Sequence, residues 1–426
     1  MATEACTFFS LHRDVLQNFI AVINTAAIDS SPREIRSPGG LGPSSSQARL
    51  DAQLKPAFSW DRLEIADLES LAILGKGGFS CVTLVRHIHT KQVYALKTMS
   101  KSLIVKSDLT RKVVNEKRML EQLRGSDFCL QLYQTDRDHE FVYLLTEAAD
   151  GGDLMAHMVQ QKVLRPEHTQ FYAASLQRAL AHCHKAGFVH RDVKVSSDCS
   201  LERARSRADS EHRARARPAP TQPENCLIMN NGYMKLADMG LCKYLPQRDD
   251  HMSSGVNLAY TMCGTPEFLA PEFIFSRGYD RRVDWWAYGC VVFEMLFGKN
   301  PFERGDLKAT FGAITNVGTG QAKLELNEQV ERNDPALASF LQQLLCGQDT
   351  RLGARHADEV AGHAFFAQMG FDWENFDDLN TVPPVKPTRS LQERYSERPG
   401  HPGQFFFDDH PIYIGTDAQD REFSHF

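Results

Sequence analysis

The chain has 426 residues and a formal net charge of −6, which argues against nucleic acid as its main partner. Hydrophobic residues make up 42% and charged residues 24%, the ordinary balance of a soluble globular protein, and no apolar run reaches the ~18 residues of a membrane span. A chain of this length exceeds what one hydrophobic core usually supports, so we expect two packed lobes with tails.

The 10 cysteines are scattered, without C-x-x-C pairs or a Cys/His ligand spacing. They therefore indicate neither a zinc site nor a disulfide framework. The N-terminus also lacks a basic segment ahead of its apolar residues, which a secretory signal would need. We expect a reducing intracellular compartment, the cytoplasm, with the nucleus as an additional location.

Residues 1–59 read as a region outside the main domain. Apolar residues at helical spacing within 8–27 predict an amphipathic helix, which we expect to pack on the main domain. Residues 28–57 are rich in Ser, Pro and Gly and cannot bury a core, so they predict a disordered linker.

A glycine-rich turn lies between two β-prone runs, LESLAILGKGGFSCVTLV and KQVYALKTM. Gly75, Gly77 and Gly78 leave the backbone of this turn free to approach a phosphate, because no Cβ atoms intervene. Lys97 lies near the end of the second run. Glu116 follows in the predicted helix DLTRKVVNEKRMLEQL, where its carboxylate can hold the lysine ammonium toward nucleotide phosphates.

In their order and spacing these motifs resemble the protein-kinase fold, and NEKRML is typical of the AGC group of serine/threonine kinases. The resemblance implies an α+β, bilobal architecture: a small antiparallel β lobe with one key helix over about 60–147, and a larger, mainly helical lobe to about 366. An AGC-type extension would cover 367–426. The implied cofactors are ATP and Mg²⁺, and the implied partners are protein substrates.

The same resemblance implies the nucleotide contacts. Lys97 would contact the α- and β-phosphates with Glu116 holding it, Thr146 would be the gatekeeper, and residues 147–149 would offer backbone groups to adenine. The positions that match the family's nucleotide site are Leu74, Gly75, Gly77, Gly78, Val82, Ala95, Lys97, Thr146, Glu147, Ala149, Asp153, Leu227 and Phe407.

The motif FVHRDVK at 188–194 carries the chemistry. Phosphoryl transfer needs a carboxylate that accepts the proton of the attacking hydroxyl, and Asp192 is the candidate, with Lys194 neutralising charge on the moving group. Asn225 and Asp238, in PENCLIMNNGYMKLADMG, match the family's Mg²⁺ ligands. Met239 stands where the family has Phe, and we expect an active but less firmly ordered site.

The next segment, AYTMCGTPEFLAPE, resembles an activation segment. Thr261 matches the AGC phosphosite, and a phosphate there would be held by Arg191, Lys243 and Lys112. Two further matches are structural. Glu272 and Arg351 correspond to a buried ion pair that closes the segment, and Asp284 to the aspartate that anchors the catalytic-loop backbone.

Three acidic positions imply the substrate. Asp153, Glu224 and Glu294 match the residues that bind arginine in cyclic-nucleotide-dependent kinases, so we expect basic Arg-x-x-Ser/Thr-like sites. The alternative is a solvated acidic surface. The resemblance also allows a separate cyclic-nucleotide-binding regulatory chain as a partner.

The C-terminal segments FAQMGFDWENF, TVPPVKP and FFFDDH resemble the AGC extension. In that family the aromatic-acidic element crosses the mouth of the nucleotide site, and the resemblance implies that Phe407 is its aromatic residue here. The terminal Phe423-Ser424-His425-Phe426 would fold back into a pocket of the first lobe and hold the Glu116 helix.

Residues 195–222 interrupt the catalytic motif. They contain six arginines, no apolar periodicity and a Pro-Ala-Pro end, which predicts disorder. Val195-Ser196 can be encoded by a splice-donor sequence and Gln222 by CAG, and we therefore favour a translated in-frame intron. An autoregulatory insert is a second hypothesis, because residues 203–206 themselves resemble a basic kinase site. A catalytically impaired kinase-fold scaffold is the third.

Overall fold

The computed structural model describes residues 63–161, 163–195, 225–246, 258–368, 370–387 and 417–426. The predicted N-terminal helix and linker lie outside these residues, as do the segment 196–224, Glu224 and Phe407. Ile65–Phe426 form one compact unit. Among the helices that the structure describes, none combines the length and the apolar character needed to cross a membrane.

The small lobe is built on a five-stranded antiparallel sheet with the strand order β1-β2-β3-β5-β4. A 3₁₀ turn at Ile65–Asp67 leads into the first strand. The strands are β1 (Leu68–Lys76), β2 (Ser80–His87), β3 (Val93–Ser100), β4 (Leu132–Arg137) and β5 (Phe141–Glu147). The predicted strands at both sides of the glycine turn are confirmed.

The register of this sheet collects the predicted nucleotide residues on one face. Val82 pairs with Lys97, and Ala95 pairs with Thr146. Directly paired residues of antiparallel strands share a face, as do residues two apart on one strand. Val82, Ala95, Lys97 and Thr146 therefore point to the same side of the sheet.

Two helices follow β3, α1 (Lys101–Lys106) and α2 (Thr110–Gln122). The predicted helix that carries Glu116 is thus confirmed. Val113, Glu116, Met119 and Leu120 are buried on one side of α2, at the three- and four-residue spacing of an amphipathic helix. This spacing turns Glu116 inward, toward β3.

The large lobe is mainly helical. Its helices are α3 (Leu154–Gln161), α4 (Pro166–Lys185), α5 (Pro271–Ile274), α6 (Arg282–Phe297), α7 (Leu307–Gly318), α8 (Glu328–Asn333), α9 (Pro335–Leu344), α10 (Asp358–Ala361) and α11 (Ala364–Ala367). Residues 283–295 of α6 are buried around the whole helix circumference, as expected for a central helix. Gly298, at φ 67°, ends α6 in the left-handed conformation that favours glycine.

Short strands and a 3₁₀ turn lie where the two lobes meet. The strands are β6 (Gly152–Asp153), β7 (Phe188–Val189), β8 (Cys226–Ile228), β9 (Met234–Leu236) and β10 (Lys243–Tyr244). They form one sheet in the order β6-β8-β9 and a β10-β7 pair. The 3₁₀ turn Met239–Leu241 follows β9 and packs on α2. These elements present the FVHRDVK and LADMG motifs toward the cleft.

The C-terminal extension is anchored to both lobes. In α12 (Trp373–Asp377), Phe376 is fully buried and its ring stacks on Phe128 at 5.4 Å. Helix α13 (Asp417–Glu422) leads to Phe423, which is also buried, with the Lys101 ammonium 5.6 Å from its ring. The Lys117 ammonium of α2 lies 5.7 Å from the Phe426 ring. The terminal Phe-x-x-Phe therefore contacts the Glu116 helix, as expected.

Candidate active site

Lys97 lies between two carboxylates at the inner face of the small lobe. Its Nζ donates to Glu116 Oε1 at 2.5 Å and to Asp238 Oδ1 at 3.5 Å. Burial alone would lower the pKa of Lys97, but the charges of Glu116 and Asp238 outweigh it and hold the pKa above its ordinary value. Lys97 is therefore a fixed cation, placed where β3, α2 and the turn after β9 converge.

The catalytic loop is held from below by Asp284. This residue belongs to α6 and is completely buried. Its Oδ2 accepts from the backbone N of His190 and its Oδ1 from the backbone N of Arg191, both at 2.8 Å, and His184 Nε2 lies 2.8 Å from Oδ2. Arg191 has a positive φ of 70°, a conformation that non-glycine residues rarely adopt. The carboxylate of Asp284 thus helps to hold a strained loop that presents Asp192.

Asp192 is held by two neighbouring side chains. Thr265 Oγ1 donates to Asp192 Oδ1 at 3.1 Å, and Lys194 Nζ lies 3.3 Å from Asp192 Oδ2. Lys194 Nζ also donates to Thr265 Oγ1 at 3.2 Å. The three side chains form a closed triangle that orients the carboxylate while keeping a cation beside it.

Asn225 reaches the same loop from the other side of the interruption. Its Nδ2 donates to the backbone O of Asp192 at 2.7 Å, and Cys226 Sγ donates to the backbone O of Lys194 at 3.6 Å. Asn225 is completely buried, and its Oδ1 has no hydrogen-bond partner among the residues that the structure describes. A buried amide oxygen without a donor is the kind of atom that a hard cation such as Mg²⁺ takes as a ligand.

Asp238 is the second predicted Mg²⁺ ligand. It adopts a left-handed conformation at φ 53°, and its side chain is 42% exposed. The following Met239 is fully buried. The residues fit Mg²⁺, because, within the described part of the chain, Asn225 offers a buried oxygen without a donor and Asp238 offers a carboxylate whose Oδ1 accepts only long hydrogen bonds, from Lys97 Nζ at 3.5 Å and Gly240 N at 3.3 Å.

The predicted nucleotide walls lie around this centre. Leu74, Val82 and Leu227 are half-buried, whereas Ala95 and Thr146 are buried. Thr146 Oγ1 donates to the backbone O of Ala95 at 3.3 Å, which fixes its side chain. Gly77 N donates to Ser80 O at 2.7 Å, so the glycine turn is tight, and a Cβ on Gly78 would meet no atom within 4 Å. The turn therefore has open space at Gly78.

The predicted phosphosite lies among basic groups. Thr261 is exposed, and its backbone O accepts from the Tyr279 hydroxyl at 2.6 Å, while Arg191 Nη1 donates to the same hydroxyl at 2.9 Å. Burial and the positive charge of Arg191 lower the pKa of Lys243. Burial raises the pKa of the Cys263 thiol, against the opposing charges of Arg191 and Lys112. Of the three predicted basic residues, Arg191 is linked to Thr261 through the Tyr279 hydroxyl, and the roles of Lys243 and Lys112 at the phosphosite stay predictions.

The structural ion pair predicted for this lobe is present. Arg351 donates from Nη1 and Nη2 to the two oxygens of Glu272, at 2.6 and 3.0 Å, and both side chains are buried.

Of the predicted substrate residues, Asp153 caps α3 by accepting from Ala156 N at 2.6 Å, and Glu294 is buried in α6. Both lie in the large lobe.

The sequence profile of the protein kinase domain matches residues 68–197 and 221–366. The chain belongs to the protein kinase family. The unmatched residues, 198–220, fall inside the predicted interruption at 195–222. The match to the kinase domain resumes just before Asn225. The small and large lobes described above are the two lobes of this domain.

Similar kinases place the domain in the AGC group of serine/threonine kinases. The RAC-beta serine/threonine-protein kinase of Homo sapiens is 30% identical over 362 residues, which cover 83% of this chain and 65% of that protein. The cGMP-dependent protein kinase egl-4 of Caenorhabditis briggsae is 31% identical over 325 residues, which cover 76% of this chain and 38% of that protein. The chain thus spans less than two thirds of the length of these relatives.

Several kinase-site residues were not predicted from the sequence. Thr265 contacts both Asp192 and Lys194, His184 contacts Asp284, and Tyr279 links Arg191 to Thr261. Thr265 lies in AYTMCGTPEFLAPE and Tyr279 follows it, so their positions in the sequence relative to Thr261 could have identified them. His184 had none, because a histidine on a helix is usually a core or surface residue.

Proposed function

We propose that this chain is an active serine/threonine protein kinase that transfers the γ-phosphoryl group of ATP to protein hydroxyls. The observation that carries the proposal is the Asp192 carboxylate, which Thr265 and Lys194 orient while Asn225 bonds to its backbone. The Lys97–Glu116 pair faces it across the cleft, with Asp238 within reach of the same ammonium. All the charged groups that phosphoryl transfer needs are therefore together.

In this reaction Asp192 accepts the proton of the substrate hydroxyl as its oxygen forms the new bond to the γ-phosphorus. The bond from that phosphorus to the β,γ-bridging oxygen breaks, and ADP leaves. Lys97 binds the phosphates that remain on ADP, and Lys194 balances charge on the transferred group. Asn225 and Asp238 would hold Mg²⁺, which would supply positive charge against the phosphates.

The kinase assay should use the full chain with Mg²⁺-ATP and a serine peptide. Asp192→Asn keeps the size of the side chain and its contact with Thr265, yet removes the proton acceptor, and should abolish transfer. Glu328→Gln, which changes an exposed ion pair with Arg332, is a matched carboxylate control and should leave transfer unchanged. Equal activity of the Asp192→Asn chain and the wild type would refute the proposal.

The same proposal extends to basic substrates. Asp153 and Glu294 both lie in the large lobe, and carboxylates favour bidentate arginine partners. We expect peptides of the Arg-x-x-Ser type to be phosphorylated with a higher kcat/KM than peptides with alanine in place of arginine. Equal kcat/KM for the two peptides would refute this preference.

Regulation by a separate cyclic-nucleotide-binding chain, and a cytoplasmic location, belong to the proposal as well. The regulatory partner is proposed on the resemblance of the terminal Phe-x-x-Phe to that of cyclic-nucleotide-dependent kinases. Pull-down of a cyclic-nucleotide-binding protein from cell extract, released by cyclic AMP or cyclic GMP, would support it. Imaging of the tagged chain in cells tests the location.

A kinase-fold scaffold is the second candidate, because residues 195–222 interrupt the catalytic loop. The intron hypothesis predicts messages that lack these codons, and sequencing the transcript across codons 190–226 tests it. A full chain that binds Mg²⁺-ADP but transfers no phosphate, beside an active form without residues 195–222, would favour the scaffold.

A further inference from the structure

An ion pair joins the two lobes beside the nucleotide cleft. Glu147 is the last residue of β5, and Lys235 is the central residue of β9 in the large lobe. Lys235 Nζ lies 2.8 Å from Glu147 Oε1, with side-chain exposures of 11% and 15%. The family resemblance assigns only the backbone of Glu147, so the role of its side chain is open.

The position of Lys235 relates the pair to the nucleotide site. Lys235 pairs with Leu227 in the β8-β9 hairpin, and paired residues of antiparallel strands share a face. Leu227 is the large-lobe residue expected under the adenine. The Lys235 side chain therefore projects from the same face as Leu227 and extends to the end of β5. In the sequence, Lys235 precedes Asp238 by three residues.

The Glu147 carboxylate is shared with a third segment. Its Oε1 also accepts from the backbone N of Gln131 at 2.8 Å, and Glu147 N donates back to Gln131 O at 3.1 Å. The Gln131 side chain in turn donates to Ser126 O at 2.7 Å and Cys129 O at 2.8 Å, and accepts from Gly125 N at 2.7 Å. Gln131 thus fixes the loop that follows the Glu116 helix.

Stability alone does not explain a largely desolvated pair at this place. Taking two charges out of water costs much of what their attraction returns, and apolar residues of similar volume often stabilise a fold as well or better. A charged pair can, however, separate and be rehydrated when two lobes open, and re-form when they close. Such a pair biases a hinge without locking it.

We propose that Glu147 and Lys235 are positioning residues that latch the two lobes in the closed arrangement and so set the affinity for the nucleotide. The latch holds the end of β5, the strand before Asp238 and the loop after the Glu116 helix in one geometry. In that geometry Lys97 reaches both Glu116 and Asp238. This inference rests on the proposed kinase function of the cleft.

The test measures Mg²⁺-ADP binding by calorimetry, together with KM for ATP and kcat. Lys235→Met keeps the length of the side chain and removes its charge. We expect the Kd for ADP and the KM for ATP to rise roughly tenfold, within the usual range of coupling between sites, while kcat stays equal or increases. An increase in kcat is expected where lobe opening limits product release.

A double-mutant cycle identifies the pair as the cause. Glu147→Gln together with Lys235→Met should weaken ADP binding no more than either substitution alone, because both remove the same contact. Lys235→Arg should keep the affinity. Losses that multiply in the double variant, or an unchanged Kd in Lys235→Met, would overturn the latch.

Arg282→Met is the matched structural control. Arg282 pairs with Asp280 and Asp349 at 2.9 and 2.8 Å, but all three residues belong to the large lobe. This variant should lose thermal stability while it binds ADP as the wild type does. Weaker ADP binding by Arg282→Met would show that general destabilisation explains the effect. Failure of the wild type to bind ADP would instead count against the kinase function itself.

Discussion

Asn225 Nδ2 donates to the backbone oxygen of Asp192 at 2.7 Å, although 33 positions separate the two residues. The same contact region includes the bond from Cys226 Sγ to the Lys194 backbone oxygen. The catalytic loop is therefore closed across residues 196–224, whatever those residues do. A long excursion between adjacent positions costs only the entropy of closing its loop.

Deletion of residues 195–222 should preserve this closure. Each halving of loop length recovers about 0.6 kcal/mol, so the shorter chain should be more stable by about 2 kcal/mol in urea unfolding. Its kinase activity should equal or exceed that of the full chain. A deletion chain that is less stable and inactive would mean that the segment contributes to the fold.

Asp284→Asn should disrupt the catalytic loop. The amide has one acceptor oxygen in place of two, so one of the buried His190 and Arg191 N–H groups loses its partner, at a cost of about 1–3 kcal/mol. We expect a large loss of kcat with a smaller change in the Kd for ADP, because the nucleotide walls are on other elements. His184→Gln, which retains a side-chain N–H donor toward Asp284, is the control and should be milder.

Phosphate on Thr261 should stabilise the protein through the basic cluster beside it. Mass spectrometry distinguishes the chain phosphorylated at Thr261 from the chain treated with phosphatase. The phosphorylated chain should have the higher melting temperature, since a phosphate can form roughly 1–3 new charge-assisted hydrogen bonds. Lys243→Met should shrink that difference. Lys308→Met, an exposed lysine on α7, should not. Equal differences in the two variants would remove Lys243 from the phosphosite.

The pH dependence of stability should include His363. Its Nδ1 accepts from Phe365 N at 3.1 Å and caps α11, which requires the neutral ring, and burial lowers its pKa. The unfolded chain therefore binds more protons, so this contribution is present above pH ~6.5 and is lost as the pH falls through the lower pKa of the folded protein.

His363→Asn provides an acceptor that does not titrate. Between pH 7.5 and 5.5, wild type should lose more stability than this variant, with the roughly 1 kcal/mol of a helix cap as the upper bound. Urea unfolding at the two pH values measures this loss. Identical pH slopes for the two chains would contradict the assignment.

The sequence predicted the bilobal fold and the place of most charged groups because both follow from spacing. The strand register that aligns Val82 with Lys97 and Ala95 with Thr146 depends on alternation, which is visible in the chain. Contacts between distant segments were harder to predict. Thr265 acts on Asp192 and Lys194 of the catalytic loop, whereas His184 and the Glu147 side chain act on residues of α6, β9 and the loop after α2, and only tertiary packing brings these partners near.

Gly232 has a practical consequence for the C-terminal extension. This residue has φ +85°, and a Cβ there would come within 2.4 Å of Val385 O and 2.6 Å of Pro383. Tyr233 next to it donates from its hydroxyl to Thr381 O at 2.9 Å. The C-terminal extension therefore packs against the hairpin turn so closely that only glycine, which has no Cβ, fits at this position. Gly232→Ala would therefore displace residues 381–385 from the large lobe, while the buried anchor at Phe423, on the small lobe, would remain in place.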